Sequence, residues 1–109
     1  MVFAHAHSPL ASESRVLAKF REAERLLALD PEGRDVFRRL NLLRARLAKE
    51  ARVPAFRILS HAQLLELSER RPRNEGELTT TRGIGALLVR AYGDEIVATV
   101  ISEISNIID

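Results

Sequence analysis

The sequence predicts an all-α fold, a compact bundle of five to six short helices. Apolar residues recur at spacings of three and four along most of the chain, which is the period of a helix with one buried face. No segment shows the sustained alternation of apolar and polar residues that is typical of a half-buried strand. Proline and glycine fall between the periodic segments, where helices end. A length of 109 residues suits a single domain.

The first two predicted helices each carry a stripe of four apolar residues. Ser12 or Ser14 caps the first helix, which runs to about Leu29. After a break at residues 30–33, the second helix runs over residues 34–52. We expect both stripes to face the core; they consist of Val16, Phe20, Ala23 and Leu27, and of Val36, Leu40, Leu43 and Leu47.

The next helices are shorter and their starts are marked by capping residues. Residues 53–59 are predicted to form an extended strap, because Pro54 disfavours helical geometry at the preceding residue and has no N–H. Ser60 caps a third helix over residues 61–71. Asn74 followed by Glu77 resembles a capping box for a fourth helix, over residues 75–81.

A glycine-rich turn joins the fourth helix to the fifth. Gly83 and Gly85 bracket one apolar residue, and glycine is preferred where the backbone turns with positive φ or closely approaches a ligand. The fifth helix, residues 86–92, is expected to end at Gly93, where the last helix begins. A turn of this kind can direct backbone N–H groups at a phosphate. It is therefore a candidate binding site.

Charge is unevenly distributed, although the net charge is only +2. Residues 34–57 contain eight basic and two acidic residues, whereas residues 91–109 contain four acidic residues and no basic ones. A basic surface attracts phosphates, and an acidic end repels them or binds a basic partner. Arg44 is assigned to structure, with its stem over the core and its head paired with a carboxylate.

The composition argues against several classes of site. The chain has no cysteine, which rules out disulfides and Cys-based zinc sites, and His5 and His7 alone are too few ligands for a specific metal site. We find no Walker phosphate loop and no nucleophile–base pair, so we expect a domain without enzymatic activity or metal. We also find no signal peptide and no transmembrane segment, and we expect an intracellular protein, in the cytoplasm or nucleoid.

Three groups of residues follow one another in a specific order and spacing between Val36 and Ile101. They are Leu40-x-x-Leu43-Arg44-x-x-Leu47-Ala48-x-Glu50-x-x-Val53-Pro54-x-Phe56-x-Ile58-Leu59-Ser60, then Leu64-x-Glu66-Leu67 with Arg71-Pro72, then Glu77-Leu78, Gly83-Ile84-Gly85 and Tyr92-Gly93-x-Glu95-Ile96. Together they resemble the helicase and ribonuclease D C-terminal (HRDC) domain, in its RecQ helicase branch. Two residues depart from the family pattern. The family usually has an apolar residue where Thr81 stands and often has a lysine where Leu88 stands.

The resemblance implies a SAM-like helical bundle, here over residues 12–109, with residues 1–11 as a flexible linker. It implies an accessory C-terminal domain of a RecQ-type ATP-dependent DNA helicase that tunes the enzyme in recombination and repair. ATP and Mg are expected only in the parent helicase. We expect a monomer that binds single-stranded or forked DNA weakly, mainly by electrostatic attraction. The candidate DNA contacts are Arg57, Arg71, Arg73, Arg82, Gly83, Gly85, Arg90 and Tyr92.

Few aromatic residues are available to stack on bases. Phe20, Phe37 and Phe56 are expected to lie in the core, and each stacked base would add about 1–3 kcal/mol. DNA binding would therefore depend on phosphate contacts.

Two other hypotheses remain open. The domain could be a protein-docking or autoregulatory module with little DNA affinity, contacting the parent helicase or a partner through its charged surfaces. Its candidate contacts are Asp94, Glu95 and Glu103. A simple helix-hairpin-helix also fits the glycine turn, but it leaves residues 36–72 unexplained.

Overall fold

The computed structural model describes the backbone of residues 3–102 and the side chains of residues 14–102. Over these residues the chain forms six helices, so the predicted all-α bundle is confirmed. They are α1 (Phe3–Ala28), α2 (Pro31–Ala51), α3 (Ala55–Ile58), α4 (His61–Arg70), α5 (Glu75–Thr79) and α6 (Ala86–Ile101). None of the described helices is both long enough and apolar enough to cross a bilayer.

α2 lies at the centre of the bundle and contacts α3, α4 and α6. All four residues of its predicted apolar stripe are buried. Burying a leucine or valine side chain contributes roughly 1.5–3 kcal/mol, so this stripe is a major source of stability. The core around it is completed by residues of the segment from α3 to α6, including the glycine turn: Ile58, Leu59, Leu64, Leu67, Leu78, Ile84, Ile96 and Val100.

α1 differs from the prediction at its start. It begins at Phe3, so neither Ser12 nor Ser14 is its cap, and the residues from 3 to 11 are helical instead of forming a flexible linker. Three alanines in this segment favour a helix, and a helix that has already started can continue through them. The domain boundary at residue 12 stays a prediction.

The apolar stripe of α1 is exposed, although it was expected to face the core. This is a larger difference from the prediction than the earlier start of the helix. Val16, Phe20 and Leu27 are 51%, 62% and 75% exposed, respectively. The nearly opposite face of α1 packs against α4, with Leu29 buried just beyond the helix end and Arg25 paired with acidic residues of α4. The stripe therefore points away from the bundle instead of into its core.

A polar junction connects the start of α2 with the end of α4. Asp30 is the N-cap of α2 and accepts a 2.8 Å hydrogen bond from the Gly33 N–H, so the helix starts before the predicted residue 34. Arg71, the C-cap of α4, donates to the same Asp30 carboxylate at 2.8 Å and lies 3.8 Å from a Glu32 oxygen. Gly33 leaves room for both groups, because a Cβ there would lie 2.9 Å from Asp30 Oδ1 and 3.0 Å from Arg71 Nη1.

Two other predicted breaks are wrong. Pro54 is the N-cap of the short helix α3, whereas residues 53–59 were predicted to be extended. A proline φ of −62° is compatible with the residue that precedes a helix. Gly93 lies buried inside α6, so the last two predicted helices are one. A Cβ at Gly93 would lie 3.2 Å from Val89 Cγ1 and 3.4 Å from Leu78 Cδ2. Glycine at this position therefore allows α5 and α6 to pack closely.

The predicted caps of α4 and α5 are confirmed. The Ser60 hydroxyl accepts from the Gln63 N–H at 3.1 Å, and Gln63 Oε1 accepts from the Ser60 N–H at 2.7 Å, which completes a capping box. Asn74 Oδ1 accepts from the Glu77 N–H at 2.8 Å, whereas the Glu77 carboxylate binds the Arg73 N–H instead of the cap.

Two arginines of α2 form hydrogen bonds with other parts of the bundle. Arg39 is buried and donates to Asp35, to Ser102 and to the carbonyl of Thr99 near the end of α6. Arg44 is structural as predicted, but its partners are the Leu59 carbonyl and the Asn41 side chain rather than a carboxylate. Burial lowers the pKa of Arg44 below its usual value.

We expect Gly93→Val to destabilise the domain by about 1–3 kcal/mol, because the added methyl groups would press on Leu78 and Val89. Urea unfolding followed by circular dichroism measures the loss. Ala91→Val, at an exposed position of the same helix, is the matched control and should cost less than about 1 kcal/mol. Equal losses in the two variants would contradict close α5–α6 packing at Gly93.

The junction at Asp30 should make stability depend on pH in the acid range. The hydrogen bond from the Gly33 N–H, and then that from Arg71, lowers the pKa of the Asp30 carboxyl. Its stabilising effect is therefore complete above the unfolded-state pKa of about 3.9 and is lost as the pH falls through the lower folded-state value.

We expect Asp30→Asn to reduce the loss of stability on acidification from about pH 5 to pH 2, since an amide can still cap the helix but does not titrate. Thermal unfolding at a series of pH values measures this. Asp94→Asn removes an exposed carboxylate that forms no ion pair within residues 14–102, and it should leave the acid-induced loss unchanged. If Asp30→Asn behaves like Asp94→Asn, the junction does not contribute as described.

Candidate nucleic-acid interface

The glycine turn leaves the N-terminus of α6 open to solvent. Gly83 has a φ of +83°, as the sequence predicted, and a Cβ at either Gly83 or Gly85 would meet nothing within 4 Å. Gly85 is the N-cap of α6 and provides no side chain to satisfy the first N–H groups of the helix. Such a helix start carries a partial positive charge and can bind an anion.

Gln63 holds the turn against α4. Its Nε2 donates to the Gly83 carbonyl at 2.9 Å, while its backbone and its Oε1 take part in the capping box with Ser60. Thr81, on the other side of the turn, is buried and its hydroxyl donates to the Glu77 carbonyl at 2.9 Å. This hydrogen bond satisfies the hydroxyl of a buried polar residue. The turn is thus held on both sides.

Arg82 lies at the edge of an open cleft of about 760 Å³ between α1, α4 and the turn. Arg70, in the last turn of α4, lines the same cleft, and both arginines also line a second cleft of about 300 Å³ beside α5. Both residues are exposed. Arg82 forms no ion pair within residues 14–102, whereas Arg70 Nε lies 3.3 Å from a Glu66 oxygen. Arg82 is therefore the cleft arginine with an uncompensated charge.

The third arginine of the cleft is neutralised. Arg25 of α1 donates to Glu69 at 2.7 and 3.0 Å and to Glu66 at 3.2 Å. The hydrogen bond from Arg25 lowers the pKa of the Glu69 carboxyl, and the bond to Glu69 raises the pKa of Arg25. On the α1 side of the cleft, these ion pairs hold α1 against α4. The side formed by the glycine turn is the basic one, because the charge of Arg82 is not compensated there.

Arg90 extends the basic surface along α6. It is exposed and lies about one turn after Ala86, on the same face, and it forms no ion pair within the described part of the chain. Leu87, between these residues, is 78% exposed. The glycine turn, Arg82 and Arg90 together form the candidate interface, which we call the turn surface.

Comparison with known proteins identifies the domain. The family model described as HRDC domain matches residues 33–100. The chain belongs to the HRDC family. A solved structure, D. radiodurans RecQ HRDC domain 3, matches with a TM-score of 0.64 and 32% identity, over 66% of this chain and 95% of that one. The predicted resemblance is thereby confirmed.

Two curated relatives are RecQ-type proteins. The ATP-dependent DNA helicase RecQ of Bacillus subtilis (strain 168) is 36% identical over 62 residues, which are 57% of this chain and 10% of that protein. The ATP-dependent DNA helicase Q-like 4B of Arabidopsis thaliana is 38% identical over 69 residues, which are 62% of this chain and 6% of that protein. The alignments span a tenth or less of these relatives.

Two of the predicted DNA contacts have side chains that already bind or pack against other residues of this HRDC domain. Arg71 is engaged by Asp30 and Glu32 and is only partly exposed. Tyr92 is half-buried and packs against the core. Both residues stay predictions as DNA contacts, but their side chains already have partners within the fold.

The remaining predicted contacts are exposed. Arg57 lies on α3, and Arg73 lies between α4 and α5. Neither forms an ion pair with any residue of the 14–102 segment. Neither lines the cleft beside the glycine turn, so the structure does not bring them together with Arg82.

The acidic residues predicted as protein-docking contacts differ in their surroundings. Asp94 is exposed, whereas Glu95 accepts a 2.9 Å hydrogen bond from Arg46 of α2, an arginine that also pairs with Glu50. The bond to Glu95 is the main cause of a raised Arg46 pKa. Glu103 lies outside the described residues. The predicted charge separation is therefore partly compensated within the domain, by an ion pair between the basic helix and the acidic one.

Two further residues lie on the surface that were not predicted there, Arg70 and Phe56. Arg70 shares the outer face of α4 with Glu66, opposite the buried leucines, and the helical period could have indicated this. Phe56 is 67% exposed instead of lying in the core, and it neighbours Arg57. No sequence signal distinguished it from the buried Ile58. Across the described residues, no group of three or more His, Asp or Glu side chains is arranged to hold a metal ion.

Proposed function

We propose that this HRDC domain is an accessory DNA-binding module of a RecQ-type helicase, and that it contacts the phosphate backbone through the turn surface. The observation that carries the proposal is the open N-terminus of α6 next to Arg82 and Arg90, neither of which is neutralised by an ion pair within residues 14–102. A phosphate placed there would meet backbone N–H groups, the positive end of the helix dipole and two guanidinium groups.

The chemistry of this surface favours weak binding without sequence specificity. Phosphate contacts carry no base information, and the turn surface offers two arginines and one helix start. Glu66 and Glu69 lie in the adjoining cleft, where their negative charge disfavours a closely bound phosphate on the α1 side. A strand would therefore lie across the turn and the start of α6 instead of deep in the cleft.

The relatives support a role within a larger parent protein. Both curated relatives are named ATP-dependent DNA helicases, and the matched segment is a small part of each. We assign ATP hydrolysis, its Mg²⁺ and DNA unwinding to other parts of the parent protein. This domain would tune which single-stranded or forked DNA the motor engages during recombination and repair, and we propose that it does so inside the cell.

Docking on the parent helicase is the second candidate function. Asp94 favours it, because this exposed carboxylate forms no ion pair within the described segment. The Arg46–Glu95 ion pair weakens the docking hypothesis, because the Glu95 carboxylate, one of the proposed docking groups, is already paired within the domain. Docking without DNA affinity would give no DNA binding by the domain even at low salt.

We expect the domain to bind labelled single-stranded and forked DNA at roughly 50 mM salt and to lose much of that affinity by roughly 200 mM. Replacing Arg82 and Arg90 together by alanine should weaken binding severalfold at low salt. On a single strand it should also reduce the slope of log affinity against log salt by about 0.7 for each lost phosphate contact. Fluorescence anisotropy titrations measure both quantities.

The control variant replaces Arg15 and Arg21 by alanine, which removes the same charge from exposed positions of α1. Its affinity and salt slope should stay close to those of the unmodified domain. Absence of binding at low salt would exclude the DNA-binding proposal. Equal effects of the two double variants would exclude the turn surface as its location.

A further inference from the structure

The outer face of α1 is an apolar surface that the described bundle leaves uncovered. Val16, Phe20 and Leu27 are each at least half exposed, Ala23 lies between them on the same face, and Leu17 on one flank is 52% exposed. α1 precedes the segment that matches the HRDC family, which starts at residue 33. This surface therefore lies outside the segment that matches the family, and it contributes no residue to the core of the bundle.

The two faces of α1 serve different contacts. At about 100° per residue, the stripe lies nearly opposite Arg25, which is bound to Glu66 and Glu69 of α4. The bundle thus occupies one side of α1 and the stripe occupies the other. A second helix can pack along the stripe without meeting the bundle.

The spacing of the stripe is that of a coiled-coil seam. Val16, Phe20, Ala23 and Leu27 are separated by four, three and four residues, as the a and d positions of a heptad repeat are. A short seam of this length supports only weak association, because three turns bury little apolar surface.

The charges beside the seam indicate what covers it. With Phe20 and Leu27 at a positions, Lys19 is a g residue and Glu24 is an e residue, and both are exposed. In a parallel pair of identical helices, the g residue of one helix faces the e residue that follows five positions later in the other. Lys19 of each copy would then face Glu24 of the other, twice by symmetry.

An antiparallel pair does not match these charges. In that arrangement g residues face g residues and e residues face e residues, so Lys19 would lie opposite Leu26, and Glu24 opposite Leu17. The charge pattern therefore favours a parallel pair.

We propose that α1 is a self-association helix, which forms a weak parallel coiled-coil dimer with α1 of a second copy of this chain. The two bundles would lie on opposite sides of the helix pair, because each packs on the face of α1 away from the seam. This differs from the monomer expected from the sequence. The α1 stripe was separately expected to face the core, and the structure shows it exposed.

Sedimentation equilibrium over roughly micromolar to millimolar protein concentrations tests the dimer. We expect a concentration-dependent shift from monomer to dimer, which Phe20→Glu abolishes while the circular dichroism spectrum stays helical. Leu42→Glu is the matched control, because Leu42 on α2 is also 62% exposed but lies outside the stripe. It should leave the dissociation constant within about twofold of that of the unmodified chain.

Charge exchange tests the parallel arrangement. Lys19→Glu and Glu24→Lys should each raise the dissociation constant severalfold, since each places like charges opposite one another. The double variant should restore it. A chain that stays monomeric throughout, or a dimer that survives Phe20→Glu, would overturn the proposal. A double variant no better than either single variant would overturn the parallel pairing.

Discussion

The Asp30 carboxylate connects the α1–α2 corner of the bundle with the end of α4. It caps α2 through the Gly33 N–H and accepts from Arg71, which ends α4. The absence of a side chain at Gly33 is what allows the carboxylate and the guanidinium to approach the same helix start. With the α1–α2 corner held against the end of α4, α1 meets α4 through Arg25. Its apolar stripe then has no bundle surface to pack on.

Helical periodicity predicted which residues share a face but not what covers that face. The stripes of α1 and α2 have the same spacing of four, three and four, yet the α2 stripe, from Val36 to Leu47, is buried and the α1 stripe, from Val16 to Leu27, is exposed. The two differ in tertiary surroundings, because α2 is enclosed by three helices whereas α1 contacts α4 along one side. The family pattern would have separated them, since it starts at residue 33, after α1.

The parts of the candidate site that depend on local backbone chemistry were predictable, and the parts that depend on distant partners were not. Gly83 was recognised because only glycine adopts positive φ at little cost. Arg71 was assigned to the surface because its partner, Asp30, lies 41 residues earlier in the chain. Gly93 was taken for a helix end because the sequence does not reveal that Leu78 of α5 packs against it.

The two faces of α1 make the proposed DNA contact and the proposed self-association compatible. The turn surface lies across the cleft from the inner face of α1, and the seam lies on the outer face, so pairing would leave Arg82 and the start of α6 accessible. A surface with two arginines binds one phosphate strand weakly. Two such surfaces in the proposed dimer would act on the same DNA at a high effective concentration where both can reach it, which would raise avidity without any new contact. A weak dimer would thus make DNA binding depend on the local concentration of the protein, because separate monomers have no such gain.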